Sequence, residues 1–245
     1  MKHVVLAAGY ATRLYPVTEN FPKPLLKVGG MTILDRLIMD MDSLKEIDHH
    51  LIVSNHRFLP LFKKWANESC YSKEITIIDD GSVDNENRLG AINDLLFAIE
   101  TCQLQEDDLL VIAADNVVDF SFQGFVDYFK DKQTSLIMTY HEPEIAALRR
   151  TGVITLDPNN RVLDMQEKPE NPKSFFAAPP FYIYKKSDIT LLQLCLPEGR
   201  NADSPGNLVK LMLDKTTFHA WPMPGKRYDI GTLEMYYQLK DNLQL

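Results

Sequence analysis

Arg13 closes a turn, Gly9-Tyr10-Ala11-Thr12, that follows the short apolar run Leu6-Ala7-Ala8 and runs on into Leu14-Tyr15-Pro16. Straight after the first strand of an open α/β sheet, such a turn lies at the carboxyl edge, where ligands bind. Its backbone N–H groups suit phosphate oxygens, and the Arg13 guanidinium adds a fork of donors of matching geometry. The spacing is neither G-x-G-x-x-G nor G-x-x-x-x-G-K-[ST], which argues against a dehydrogenase or a P-loop ATPase. The same residues also read as a plain βα turn with a surface arginine. Asp115, at the end of another apolar run, reads on its own as a strand-end turn residue. The histidines show no paired metal-ligand spacing, so a zinc site is not expected.

These residues need elements to position them. Val4–Ala7, Leu51–Val53, Ile75–Ile78 and Leu109–Ile112 are continuous apolar runs, the pattern of strands buried on both faces of a parallel sheet. Helical spacing lies between them, at Ile33–Met41, Leu61–Trp65 and Ile92–Ile99. Alternation of this kind implies right-handed βαβ crossovers. From about Thr134 the pattern changes to strands joined by turns: Ser135–Tyr140, Gly152–Leu156, Arg161–Gln166 and Phe175–Tyr184. Helices are expected over Ser187–Cys195, Leu208–Leu213 and Thr232–Leu243. The expected fold is α/β, a Rossmann-like three-layer sandwich with a mixed central sheet and a smaller inserted, more antiparallel lobe. One domain spans 1–245, with a nucleotide-binding half at about 1–133, an acceptor-binding lobe at about 134–231 and a C-terminal helix at 232–245.

Composition limits the function classes. The chain has 245 residues with 26 Lys+Arg against 34 Asp+Glu, so its net charge is 26 − 34 = −8, unlike the basic surface of a general nucleic-acid binder. At 45% hydrophobic residues it can build an ordinary core, which rules out a disordered chain. Cys70, Cys102 and Cys195 are odd in number and far apart, and they read as reduced thiols. The run Val4–Ala8 is too short for a signal-peptide core, and no stretch approaches the ~20 apolar residues of a membrane span. The expectation is a cytoplasmic protein without nucleic-acid or membrane partners. A homo-oligomer stays open.

Several separated segments together resemble the nucleotidyltransferases that make nucleoside-diphosphate sugars, the sugar-nucleotide pyrophosphorylases. Gly9, Thr12, Arg13, Leu14, Pro16, Thr18, Lys23 and Pro24 match the family's Gly-rich loop and its following Lys-Pro. Ala114-Asp115-Asn116 resembles its Gly-Asp-Asn, Glu167-Lys168-Pro169 its Glu-Lys-Pro, and Asp229-Ile230-Gly231-Thr232 its Asp-x-Gly-Thr. The resemblance implies Mg²⁺-dependent transfer of a nucleotidyl group from a nucleoside triphosphate to a phosphorylated small-molecule acceptor, a sugar 1-phosphate, with release of pyrophosphate. It implies catalytic roles for Arg13 and Lys23 and metal ligation by Asp115 and Asp229. Leu6, Ala8, Gly9, Tyr10, Ala11, Thr12, Leu89, Gly90 and Asn116 would contact the nucleotide. Gly152, Glu167, Lys168 and Ala177 would contact the acceptor.

The chain departs from the family's pattern at three places. Ala11 stands where the family has Gly, although Ala has no easy access to positive φ. Asn87–Asp94 keeps Leu89-Gly90 but not the later Thr-Ala-Gly of the family's base-binding segment. Ala177-Ala178-Pro179-Pro180 replaces a strand that reads sugar hydroxyls through Asn. These departures leave two other readings open. One is a cytidylyltransferase acting on phosphocholine or another small phosphoester, with Tyr182 or Tyr184 meeting a quaternary ammonium. The other is a nucleotidyltransferase-like binding subunit without turnover. A glycosyltransferase would want Asp-x-Asp, which Asp115-Asn116-Val117 lacks.

Overall fold

The computed structural model describes residues 1–195 and 203–242. In chain order the strands are β1 (Lys2–Leu6), β2 (Lys27–Val28), β3 (Met31–Thr32), β4 (His49–Ser54), β5 (Glu74–Asp79), β6 (Leu109–Ala113), β7 (Asn116–Val118), β8 (Ser135–His141), β9 (Gly152–Leu156), β10 (Val162–Glu167), β11 (Phe176–Ala178), β12 (Phe181–Tyr184), β13 (Phe218–Pro222) and β14 (Arg227–Asp229). The helices are α1 (Ile33–Ser43), α2 (Leu59–Glu68), α3 (Ala91–Thr101), α4 (Gln123–Lys132), α5 (Ile145–Leu148), α6 (Lys186–Leu194), α7 (Pro205–Met212) and α8 (Leu233–Asn242). The fold is mixed α/β with a large mixed sheet, as expected. The expected end of the last helix at Leu243, and the residues to 245, lie outside the described residues. Among the described residues no helix is long and apolar enough to cross a membrane.

The chain packs as two compact units whose limits do not follow a division at 133/134. One unit comprises 1–89, 113–122 and 225–245; the other comprises 90–112 and 123–224. In the first, β4 pairs in parallel with β1 and with β5. The three apolar runs are buried here because helices bring apolar faces to them. Ile38 of α1 and Phe62 of α2, each fully buried, pack in one cluster with Val5 of β1 and Ile52 of β4. Helix α1 starts where it does because Thr32 caps it, its hydroxyl accepting from the Asp35 N–H at 2.9 Å. Two short antiparallel ribbons complete this unit, β2 with β3 and β7 with β14. Their strands span two or three residues, too few for periodicity to reveal.

The second unit is largely antiparallel. β10 pairs β9, β9 pairs β11, β11 and β12 each pair β8, and β12 also pairs β6. β13 alone joins in parallel, along β8. The expected single strand Phe175–Tyr184 is two strands, interrupted at Pro179-Pro180. Proline has no N–H for a ladder and fixes φ, so consecutive prolines break the strand.

Under the parallel sheet of the first unit lie two fully buried histidines. Nδ1 of His3 and Nδ1 of His50 are 3.0 Å apart, and His50 Nε2 is 3.4 Å from Asp42. His3 Nε2 is buried without a hydrogen-bond partner. Burial holds His3 well below its ordinary value and pulls His50 down to about 4, outweighing the nearby Asp42 carboxylate. Both groups therefore fold in the neutral form, while the unfolded chain takes up protons below about pH 6.5. Their stabilising contribution is complete above that pH and is lost progressively as pH falls toward 4. Urea midpoints should drop between pH 7 and pH 5, with a shallower fall for His50→Gln; identical pH slopes for the two proteins would contradict this assignment.

Candidate active site

The loop after β1 is set by burial on either side of it. Ala7 and Ala8 are buried, and Tyr10 is only 2% exposed. The Tyr10 hydroxyl donates to the Ser82 carbonyl at 3.0 Å, and its ring lies beside Phe58. Tyr10 thus offers a ligand its backbone, while its side chain belongs to the core. Gly9 is exposed, and a Cβ there would meet nothing within 4 Å. Ala11 adopts φ 47° and ψ 42°, the left-handed conformation that Gly would take more easily. Its carbonyl is held by the Leu14 N–H at 2.9 Å and the Thr18 hydroxyl at 2.8 Å. Thr12–Leu14 then forms a single 3₁₀ turn. Leu14 enters a core cluster with Leu26, Val28, Val117 and Ile230, whereas Arg13 is exposed and makes no ion pair with the described residues.

Lys23 opens a second 3₁₀ turn, Lys23–Leu25, with Pro22 and Pro24 on either side. It is 7% exposed, and its Nζ lies 3.3 Å from Asp115 Oδ2. Asp115 stands between β6 and β7. In the β7–β14 ribbon, Asp229 is the register partner of Asn116, and the Ile230 N–H donates to the Asp115 carbonyl at 3.3 Å. This ribbon brings two carboxylates from distant parts of the chain to one place. Burial and the Asp115 charge raise the Asp229 carboxyl above its ordinary value, against the pull of Lys23, Arg227 and Arg13.

Asn116 is fully buried. Its amide donates to Asp115 Oδ1 at 2.6 Å, and its oxygen accepts from Arg227 at 2.5 Å. It therefore orients Asp115 and has no surface for direct nucleotide contact. Arg227, also 3.8 Å from Asp229 Oδ2, escaped the sequence reading. Its signal is adjacency: it lies two residues before Asp229, on the same face of β14. Among the described residues no three His, Cys, Asp or Glu side chains form a metal cage. The Asp115–Asp229 pair still fits Mg²⁺, which takes one or two carboxylates and completes its shell with phosphate oxygens and water.

Leu89 ends the first unit, half-buried, and Gly90 begins the second, buried at φ 87° as the residue before α3. In the second unit, Gly152 is buried on β9. Glu167 ends β10, its carboxyl raised by burial despite Lys168 and Ser204. A Cβ on Gly206 would collide with Glu167 Oε2 and with the Met165 methyl, so this glycine makes room for the carboxylate. Lys168 has φ 46°; its N–H donates to the Thr151 carbonyl at 3.1 Å, and its side chain is largely exposed. An open cleft of about 310 Å³ beside it is lined by Arg149, Lys168, Pro169, Glu170 and Asn171. Ala177 is elsewhere. It is fully buried in a cluster with Leu148 and Val153, so it is a core residue and not an acceptor contact. Tyr182 and Tyr184 are likewise buried, stacked at 5.7 Å, and form no open aromatic cage.

With this geometry in place, the comparison with known proteins is direct. The nucleotidyl transferase family pattern matches residues 2–244. The chain belongs to that family. Nucleotidyl transferases are typically metal-dependent. The chain is 29% identical over 233 residues to the bifunctional protein GlmU of Methanococcus aeolicus, a match covering 94% of this chain and 51% of that protein. It is 26% identical over 262 residues to the glucose-1-phosphate adenylyltransferase of Fervidobacterium nodosum, covering 100% of this chain and 62% of that one. The chain therefore spans about half to three-fifths of the length of these relatives. A crystal structure of UDP-glucose pyrophosphorylase complexed with UDP-glucose shares the fold, with a TM-score of 0.82 at 19% identity over 98% of this chain and 97% of the other.

The strain at Ala11 can be measured. An L-residue in the left-handed region costs roughly 1–2 kcal/mol, and Gly in the same place returns about 0.4–1 kcal/mol through the greater entropy of the unfolded chain. Ala11→Gly should therefore be neutral or stabilising by up to about 1 kcal/mol in urea titrations. A loss beyond about 1 kcal/mol would mean that the methyl's packing against the Leu14–Val117 cluster outweighs the strain.

Proposed function

We propose that this chain is a Mg²⁺-dependent sugar-1-phosphate nucleotidyltransferase. It transfers a nucleoside monophosphate from a nucleoside triphosphate to a sugar 1-phosphate, forming a nucleoside-diphosphate sugar and pyrophosphate. The observation that carries this reading is the cluster of Asp115, Asp229 and Lys23 with an exposed Arg13 nearby. The names of the matched relatives, an adenylyltransferase acting on glucose 1-phosphate and a UDP-glucose pyrophosphorylase, point to the same reaction class. We place nucleotide and metal binding in the first compact unit and acceptor binding in the second. The three unpaired cysteines suit a cytoplasmic enzyme.

Both reactants are polyanions, so the chain's task is to position them and to offset their repulsion. An oxygen of the acceptor phosphate attacks the α-phosphorus. The new P–O bond forms as the bond to the α–β bridging oxygen breaks, and the electron pair leaves with pyrophosphate. The acceptor phosphate is already ionised near neutral pH, so no protein base is needed. The backbone from Leu6 and Ala8 through Thr12, with Leu89, borders the nucleotide. Arg13 grips the β- and γ-phosphates. Lys23, pinned by its prolines, balances the charge that moves onto the leaving group. Asp115 and Asp229 would hold Mg²⁺, which would supply positive charge to offset that of the phosphates. Gly152, Glu167 and Lys168 face the acceptor: Lys168 meets its phosphate and Glu167 its hydroxyls.

The test is pyrophosphate release over a grid of nucleoside triphosphates and phosphorylated acceptors, phosphocholine included, with Mg²⁺ present. Turnover with at least one sugar 1-phosphate is expected. Silence from folded protein across the grid would leave a binding subunit, and turnover confined to phosphocholine would move the reading to a cytidylyltransferase. In the productive pair, Lys23→Ala should lower kcat by about 10²-fold or more, with a much smaller change in triphosphate affinity. Near-wild-type turnover at saturation would remove Lys23 from the mechanism.

A further inference from the structure

The end of β1 departs from its ladder in an unusual way. The Leu6 carbonyl accepts from the Ala114 N–H at 3.0 Å, while the Ala7 N–H donates to the Val53 carbonyl of β4 at 2.9 Å. Carbonyls alternate sides along a strand, so continuing the ladder would point the Ala8 carbonyl to the same side as that of Leu6, toward Ala114. It lies instead on the β4 side, accepting from the side-chain amide of Asn55 at 2.9 Å. The peptide joining Ala8 to Gly9 is thus turned over. In a trans peptide the N–H points opposite to the C=O. The Gly9 N–H, which a continuing ladder would aim at the Asn55 carbonyl, therefore points away from β4, and it makes no hydrogen bond with the described residues. The Asn55 carbonyl is occupied by the Ser54 hydroxyl at 2.9 Å.

Asn55 is built for this task. It is fully buried, and its amide oxygen accepts from the Phe58 N–H at 2.9 Å at the entry to α2. With its oxygen committed there, its NH₂ is left to face Ala8, so the amide orientation is determined. The β5 end is fastened to the same corner, because the Ser82 carbonyl accepts from both the His56 N–H at 2.9 Å and the Tyr10 hydroxyl at 3.0 Å.

We propose that Asn55 is a positioning residue for nucleotide binding: it holds the Ala8–Gly9 peptide turned over, so that the Gly9 N–H donates to an anionic oxygen of the nucleoside triphosphate. This rests on the nucleotidyltransferase reading. Asn55→Ser separates the two, because a hydroxyl still caps the Phe58 N–H but is too short to reach the Ala8 carbonyl. With the triphosphate that gives wild-type turnover, Asn55→Ser should raise its KM and Kd by about tenfold or more, while the acceptor KM stays within about twofold. A fall in kcat alone, or an equal rise in both KM values, would assign Asn55 a purely structural role. A second measurement needs no folded variant at this position: in glycine-¹⁵N-labelled wild type, the Gly9 amide should shift downfield as that triphosphate saturates with Mg²⁺. An unmoved Gly9 amide at saturation would overturn the inference while leaving the activity in place. Wild-type protein that neither turns over nor binds any triphosphate would overturn the activity, and this inference with it.

Discussion

Repulsion between two carboxylates is the constraint around which the first unit is arranged. Asp115 and Asp229 lie in the same corner, and in a partly desolvated place like charges resist joint ionisation. The backbone forces them together nevertheless. Alternation along the β7–β14 ribbon sends Val117 and Ile230 into a buried cluster with Leu14, Leu26 and Tyr236. Moving either acid aside would shift that register and expose apolar side chains. Burial of the cluster thus drives the pairing that electrostatics opposes. The residue that registers the conflict is Asn116, which spends its amide on Asp115 and its oxygen on Arg227 and so carries a positive charge's influence into the pair.

Lys23 answers the same constraint from the other side. An ammonium ion that is 7% exposed needs an anionic partner, and Asp115 is 3.3 Å away. Pro22 and Pro24 fix two backbone torsions beside it, so less conformational freedom is lost in holding the lysine there. The neighbouring loop obeys a related logic. Ala11 is in the left-handed region, an unfavourable choice locally, and it is held by the buried Thr18, as the Ala8 carbonyl is held by the buried Asn55. Strain of this kind persists only where its surroundings over-determine it. The loop is therefore tied down at its base and exposed at Gly9 and Arg13.

Much of the fold was legible because long apolar runs have few alternatives. Val4–Ala7, Leu51–Val53, Ile75–Ile78 and Leu109–Ile112 all became strands, and the 3.6-residue spacings between them became helices. The ribbons β2–β3 and β7–β14 were not legible: a strand of two or three residues carries no periodicity. That gap cost the most at the site. Without β14 there was no reason to look at Arg227, or to see that Asn116 would be enclosed by its neighbours. Ala177 was misjudged for a different reason. The family resemblance suggested a binding strand, but burial is decided by partners far away in sequence, Leu148 and Val153.

In the second unit, a strand without a polar side chain moves the polar chemistry elsewhere. With Ala177 packed in the core, its carbonyl accepts from the buried Thr139 hydroxyl at 2.8 Å, so the strand is satisfied internally and presents no free donor there. Polar capacity concentrates at the end of β10 instead. Glu167 is held in its neutral-favouring setting by burial, in space that only a glycine at 206 leaves open. The next residue, Lys168, takes a left-handed conformation that turns its side chain outward while its N–H stays tied to Thr151. One step along the chain thus turns from a partly buried acid to an exposed cation. The corner carries a carboxyl group and a full positive charge within a single turn of backbone.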